Sequence, residues 1–195
     1  MENLLNFLLQ YGHLNAQQQE LIAENATVEL LEKDAYFSEA GQIANRVAFV
    51  NKGILRVCYY NREGDEITRY FVDENKFAVD LNSFQAEIPS AEYVQAIVPT
   101  ELLVFDRTSL KRLSHTIIGW DAIVSQITSR ELMEKVSRIS PMMAEDAKTR
   151  YLAFFKRYPQ LAHRIPLNYL ASYIGITKHS LSRIRRELSQ AGEQD

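Results

Sequence analysis

Between residues 28 and 105 the chain is cut into seven short runs of β-branched and aromatic residues: 28–31, 36–38, 46–50, 54–60, 66–71, 93–97 and 101–105. Glycine- and asparagine-rich turns separate them, at Glu39-Ala40-Gly41, Asn51-Lys52-Gly53 and Asn61 to Gly64, with Pro99-Thr100 before the last run. Short strands at such regular intervals describe an antiparallel barrel or sandwich.

The flanks have a different texture. Asn15 followed by Gln18 has the spacing of a capping box, and Leu21, Ile22 and Ala26 continue it at helical intervals, so the first 25 residues are expected to be helical. Helical spacing returns at Ser109, Leu110 and Leu113, then runs from 119 to 147 with only Pro141 interrupting it. Along that stretch Ile123 and Ile127, then Leu132, Val136, Ile139 and Met143, recur at spacings of three and four. Such a seam packs on a core or on a copy of itself, and the favoured reading is a homodimer interface made by Ile123, Ile127, Leu132, Val136 and Ile139. The expected class is α+β, in three parts: a sensor-like β-roll over 1–118, a long dimerisation helix over 119–147 and a small helical module over 148–195, hinged around 140–146.

Charge divides along the same line. Between Lys148 and Gln190 nine cations face the single acid Glu187, a local charge of +8; with −3 for the whole chain, the remainder carries −11. A short basic module joined to an acidic domain is the footprint expected when one end meets phosphate.

That module holds the most informative stretch. Leu167, Leu170, Ala171 and Ile174 mark the buried face of one helix, with Ala171 small enough for a second helix to approach. Gly175 supplies the positive φ of a tight turn, Ile176 plugs the gap, and Thr177 is a natural N-cap for a helix whose inward stripe is Leu181, Ile184 and Leu188. This is a helix-turn-helix pattern. Its second helix turns Lys178, His179, Ser180, Ser182, Arg183, Arg185 and Arg186 outward. Lys178, His179 and Arg183 are the expected base contacts, and Ser180, Ser182, Arg185 and Arg186 the expected phosphate contacts. Upstream, Thr149, Leu152, Phe155 and Tyr158 with Ala153 and Phe154 suggest a short aromatic helix ending at Pro159 and serving as this module's core.

The order helix, β-roll, long helix, helix-turn-helix resembles the Crp/Fnr family of bacterial transcription regulators over essentially the whole chain. The stretch Leu170-Ala171-Ser172-Tyr173-Ile174-Gly175-Ile176-Thr177, then Leu181-Ser182-Arg183-Ile184-Arg185, is similar to that family's helix-turn-helix signature, and Asn51-Lys52-Gly53 to its β-roll turns. The resemblance implies a cyclic-nucleotide-binding-like domain, a dimerisation helix and a winged-helix DNA-binding domain. It also implies a two-fold symmetric double-stranded operator, with RNA polymerase and a small-molecule effector as candidate further partners.

Two departures qualify it. Family members that bind cyclic nucleotides carry a Gly-Glu pair for the ribose and, some ten residues on, an Arg-Ser or Arg-Thr pair for the phosphate. Here the corresponding residues run from Phe77-Ala78-Val79-Asp80 to Pro89-Ser90-Ala91-Glu92. The arginine is missing and Glu92 adds an anion, each worth about 1–3 kcal/mol against a phosphodiester. Cyclic AMP is therefore not the expected effector, and Asp80, Asn82, Ser83, Ser90 and Tyr93 are the expected lining of a pocket whose ligand is unknown. Secondly, only seven residues follow Leu188, so any wing is expected mainly from strands around 164–166.

Other classes find little support. No phosphate loop, nucleophile elbow or metal-ligand spacing is present, and His13, His115, His163 and His179 stand singly, so neither an enzyme nor a metal or cofactor site is expected. Cys58 is the only cysteine, which excludes an internal disulfide and a multi-cysteine iron-sulfur cluster; a buried, inert thiol is expected. No apolar run approaches membrane-spanning length, and a cytoplasmic, membrane-free protein is the expectation. The competing reading is a non-DNA signalling module whose roll binds a small ligand and whose C-terminal helices contact a protein.

Overall fold

The computed structural model describes residues 1–161 and 163–192, with side chains outside 138–143 and 191–192. Two short helices, α1 (Glu2–Leu8) and α2 (Ala16–Glu24), open the chain. At α2 the capping box is complete: Asn15 accepts from the Gln18 amide and the Gln18 side chain accepts from the Asn15 amide, both at 2.9 Å.

Eight antiparallel strands follow: β1 (Thr27–Leu31), β2 (Tyr36–Ser38), β3 (Arg46–Lys52), β4 (Leu55–Tyr60), β5 (Glu66–Val72), β6 (Phe77–Ala78), β7 (Tyr93–Ala96) and β8 (Thr100–Asp106). They make two four-stranded sheets, sheet A in the order β1-β8-β3-β6 and sheet B in the order β2-β7-β4-β5. The two-residue β6 and the one-and-a-half-turn helix α3 (Leu81–Ala86) carry too short a pattern to be read from sequence. Gly53, at φ +110°, lies so close to Thr100 that a Cβ would fall 2.5 Å from its Oγ1, so the glycine turn is sterically required.

Strand alternation builds three cores from two sheets. Ala48, Val50, Leu102 and Val104 point into the roll, where they meet Leu55, Val57, Val94 and Ala96 of sheet B. The intervening residues Phe49, Leu103 and Phe105 point out of sheet A, where α1, α2, α4 (Arg107–Thr116) and α5 (Trp120–Ala144) cover them. The outer face of sheet B contributes Phe71 to a third cluster, which also takes Ile54 and Ile97 and otherwise consists of C-terminal helices α6 (Ala147–Arg157), α7 (Leu167–Ile174) and α8 (Lys178–Gly192).

Several expectations need correction. The long helix passes through Pro141 and ends at Ala144; the break spans only Glu145 and Asp146, with Asp146 capping α6 through the Thr149 amide. Ile123 and Ile127, expected in a dimer seam, are buried against α1 and sheet A, because that stripe of α5 covers Phe49, Leu103 and Phe105. Leu132 and Val136 are 59% and 57% exposed, while the side chain of Ile139 lies outside the described residues. In α6 the buried aromatics are Tyr151 and Phe154, and Leu152 faces solvent. Among the described residues no strand lies between α6 and α7: the chain passes from Ile165 through Pro166 directly into the helix, so the expected wing is not formed there.

Candidate nucleic-acid interface

The helix-turn-helix head is held by apolar contact. Leu170, Ala171 and Ile174 of α7 and Leu181 and Ile184 of α8 are buried together, with Leu167, Ile176 and Leu188 packed against them. Gly175 caps α7 in the left-handed region at φ +79°, and its amide returns to the Ala171 and Ser172 carbonyls. Two residues later Thr177 Oγ1 accepts from the Ser180 amide at 3.1 Å, which starts α8 and leaves its amino end pointing to solvent.

With its inward stripe fixed, α8 presents Lys178, His179, Arg183, Arg185 and Arg186 to solvent, and Ser182 is half-buried. Arg183 is 75% exposed, engaged only loosely with Glu187 at 3.7 Å one turn on. Ser180 differs from the others: its hydroxyl lies 3.0 Å from that of Thr177 and belongs to the cap. No acid lies in the first turn of α8, so Lys178 adds to the positive end of the helix dipole. The exposed cations from Lys178 to Arg186 span about two and a half turns, with arginine forks suited to guanine edges and phosphates.

This head is docked on the roll by polar contacts that sequence reasoning missed. Arg56 of β4, 1% exposed, forms a forked pair with Glu66 at 2.7 and 2.8 Å, donates to Gln95 Oε1 at 2.6 Å and lies 3.7 Å from the ring centre of Tyr169 on α7. Ser172 Oγ accepts from the Thr68 amide at 2.9 Å and donates to the Glu66 carbonyl at 3.1 Å, so α7 satisfies the free edge of β5. Arg164 forks onto Glu74 at 2.7 and 2.9 Å, and Glu74 also accepts from the Gly53 amide. The Arg56 fork holds the Glu66 carboxyl below its ordinary range, against the opposing effect of burial. For Glu74 burial acts upward, and the Arg164 and Gly53 donors overrule it to leave that carboxyl low as well. Cys58, on the same face, is fully buried, and desolvation pushes its thiol up to about 11. A lone arginine inside the otherwise apolar run Leu55 to Tyr59 was the one available signal for this interface.

The expected effector residues do not line one cavity. Asp80 caps α3 through the Ser83 amide and accepts from Ser90 Oγ at 2.7 Å, and these two border a hollow of only about 50 Å³. Buried Ser83 accepts from the Ala44 amide and donates to the Ile88 carbonyl. Asn82 is exposed, and Tyr93 meets the Tyr36 ring at a tilt and the Tyr60 ring edge-on, on the outer face of sheet B. Glu92 is paired with Arg69, which offsets the extra anion noted in the sequence. Where α5 crosses the roll, Lys135 reaches the Tyr70 hydroxyl at 3.2 Å. Among the described residues no three His, Cys, Asp or Glu side chains come together as a metal site, and no helix is long and apolar enough to cross a membrane.

Comparison with known proteins places this architecture. Residues 28–116, which include the roll, match the cyclic nucleotide-binding domain family. Over nearly all of its length the chain shares its fold with solved transcription regulators, among them one described as a putative member of the Crp/Fnr family. FixK2 from Bradyrhizobium japonicum superposes with a TM-score of 0.75 at 18% identity, over 86% of each chain. CLP, a c-di-GMP-responsive global regulator of Xanthomonas campestris, gives 0.72 at 15% identity, over 91% of this chain and 93% of its own. CooA from Carboxydothermus hydrogenoformans gives 0.69 at 15% identity, over 95% and 84%. No curated protein sequence matches the chain.

Proposed function

We propose that this chain is a homodimeric, sequence-specific DNA-binding transcription regulator whose α8 enters the major groove. The observation that carries the proposal is the solvent-facing basic surface of α8, set on a helix-turn-helix whose opposite side is fully packed. In this geometry Lys178, His179 and Arg183 near the amino end of α8 meet base edges, while Arg185, Arg186 and Ser182 meet phosphate. Leu132, Met133 and Val136, exposed on α5, supply an apolar stripe for a second copy. Two recognition helices then serve half-sites about 34 Å apart, one turn of duplex.

The roll acts as the effector domain, and cyclic AMP is not its expected ligand. The stretch from Phe77 to Tyr93 lacks a phosphate-binding arginine, and the hollow beside Asp80 and Ser90 is too small for a nucleotide. Selection from a pool of random duplexes at two salt concentrations tests the proposal. A two-fold symmetric site should be enriched by the wild type and lost with Arg183→Ala. Enrichment indifferent to Arg183, or association that ignores salt, would favour a protein-binding module instead.

A further inference from the structure

We propose that an apolar cleft on the outer side of sheet A is a binding site for a small, ring-bearing apolar molecule. The cleft measures about 210 Å³ and lies between α1, β6, α3 and α5. Leu4, Phe105 and Trp120 lie deep in it and are nearly inaccessible, whereas the rim residues Leu81 and Val124 are 37% and 40% exposed. It is thus a recess with a buried floor and a more exposed rim, a shape that admits a small molecule more readily than the face of another protein. Its volume exceeds the roughly 150 Å³ of an apolar cavity that takes up benzene. Water is a poor occupant, because it needs two to four polar partners. Gln85 of α3 and Thr128 of α5 are the only polar side chains in the lining, and both lie near the rim. A monocyclic or bicyclic ring with at most one polar substituent, turned toward Gln85 or Thr128, fits this lining.

The cleft is separate from the hollow at Asp80 and Ser90, although Val79 borders both. Its walls are also mechanically placed. One rim is α3, whose start is fixed by Asp80; the other is α5, whose far end leads to the reading head. A bound ring ties the two together and biases the direction of α5. That regulatory consequence rests on the DNA-binding reading above; occupancy of the cleft does not.

Trp120 is the only tryptophan in the chain and lines the cleft, so its fluorescence reports occupancy. Iodobenzene is a suitable probe, being an apolar ring that quenches on contact, with aqueous iodide as the control. Wild-type protein should show saturable quenching by iodobenzene and little by iodide. Val124→Phe, which blocks the mouth from an exposed helix position, should weaken the saturable phase at least tenfold without lowering Tm. Thr128→Met provides the same block should the first variant unfold. Linear quenching that is identical in wild type and variants overturns the site. So does saturable quenching that appears only on dilution below the dimer concentration, since a second copy would then be the occupant. Iodobenzene should also change affinity for the selected duplex at least threefold. Saturable quenching in a protein that binds no duplex would uphold the cleft and overturn the DNA-binding reading.

Discussion

The two outer faces of the roll are covered in different ways. Sheet A is covered mainly by hydrocarbon: Phe49, Leu103 and Phe105 meet leucines, isoleucines and Trp120 from four helices, and the fit leaves a cleft. Sheet B is covered by a mixture: Phe71 meets Phe154 and Tyr173, but beside it Arg56, Glu66, Gln95 and Ser172 form a directional polar lattice. Apolar contacts tolerate sliding, whereas a forked ion pair and a hydroxyl bonded to a strand edge accept one register. The difference suggests a division of labour, with a yielding face where α5 starts and an indexed face where the reading head docks.

The comparison is broken most severely at Phe71. Phe71→Ala removes a ring shared by sheet B and the head and should cost about 3–5 kcal/mol in urea unfolding. Val124→Phe, on the yielding face, should change stability by less than about 1.5 kcal/mol in the same assay. Arg56→Ala follows, at about 3 kcal/mol, since it strands Glu66 and removes the cation from the Tyr169 ring. It should also raise the susceptibility of the 145–146 break to limited proteolysis, which a purely local defect in the roll would not do.

Acid separates the faces by charge. Glu66 and Glu74 both have carboxyls held below the ordinary 4.5 in the folded protein, so their contribution is complete above that value and lost as pH falls through the lower folded values. Acidification below about pH 4.5 should therefore loosen the head from sheet B. The lining of the sheet A cleft contains no titratable side chain, so iodobenzene quenching of Trp120 should persist until global unfolding. The smallest effect belongs to Arg164→Ala, whose pair with Glu74 lies near the surface; the loss should stay under about 1 kcal/mol in urea.

How much of this was legible in the sequence follows from how local each signal is. The seven main strands, the capping box at Asn15 and the turn at Gly175 rest on residues within a few positions of one another, and periodicity or turn chemistry exposes them. The helix-turn-helix was readable for the same reason. The facing of α5 was not: Ile123 and Leu132 belong to one apolar series, and only the presence of α1 and sheet A shows that the first is core and the second surface. The lattice on sheet B joins residues 56, 66, 95, 169 and 172, and the sheet A cleft draws its walls from residues 4 to 128. Neither has a contiguous pattern. Asp80, Ser83 and Ser90 were recognised as polar residues in the right stretch, but their hydrogen-bonding capacity is spent on a helix cap and two loops. Cys58 shows the opposite outcome: a strand position implied burial, and its raised thiol predicts negligible alkylation by iodoacetamide at pH 8 until the protein unfolds.

The central claim is that α8 reads DNA through its exposed cations, and the salt dependence of duplex binding tests it most directly. Fluorescence anisotropy with the selected duplex should give log Kd rising steeply with log salt, and Arg186→Ala should reduce that slope by about one. Arg183→Ala should instead cost about 1–3 kcal/mol and relax preference at a base pair. A flat salt dependence, or slopes and affinities unchanged by both substitutions, would contradict the account.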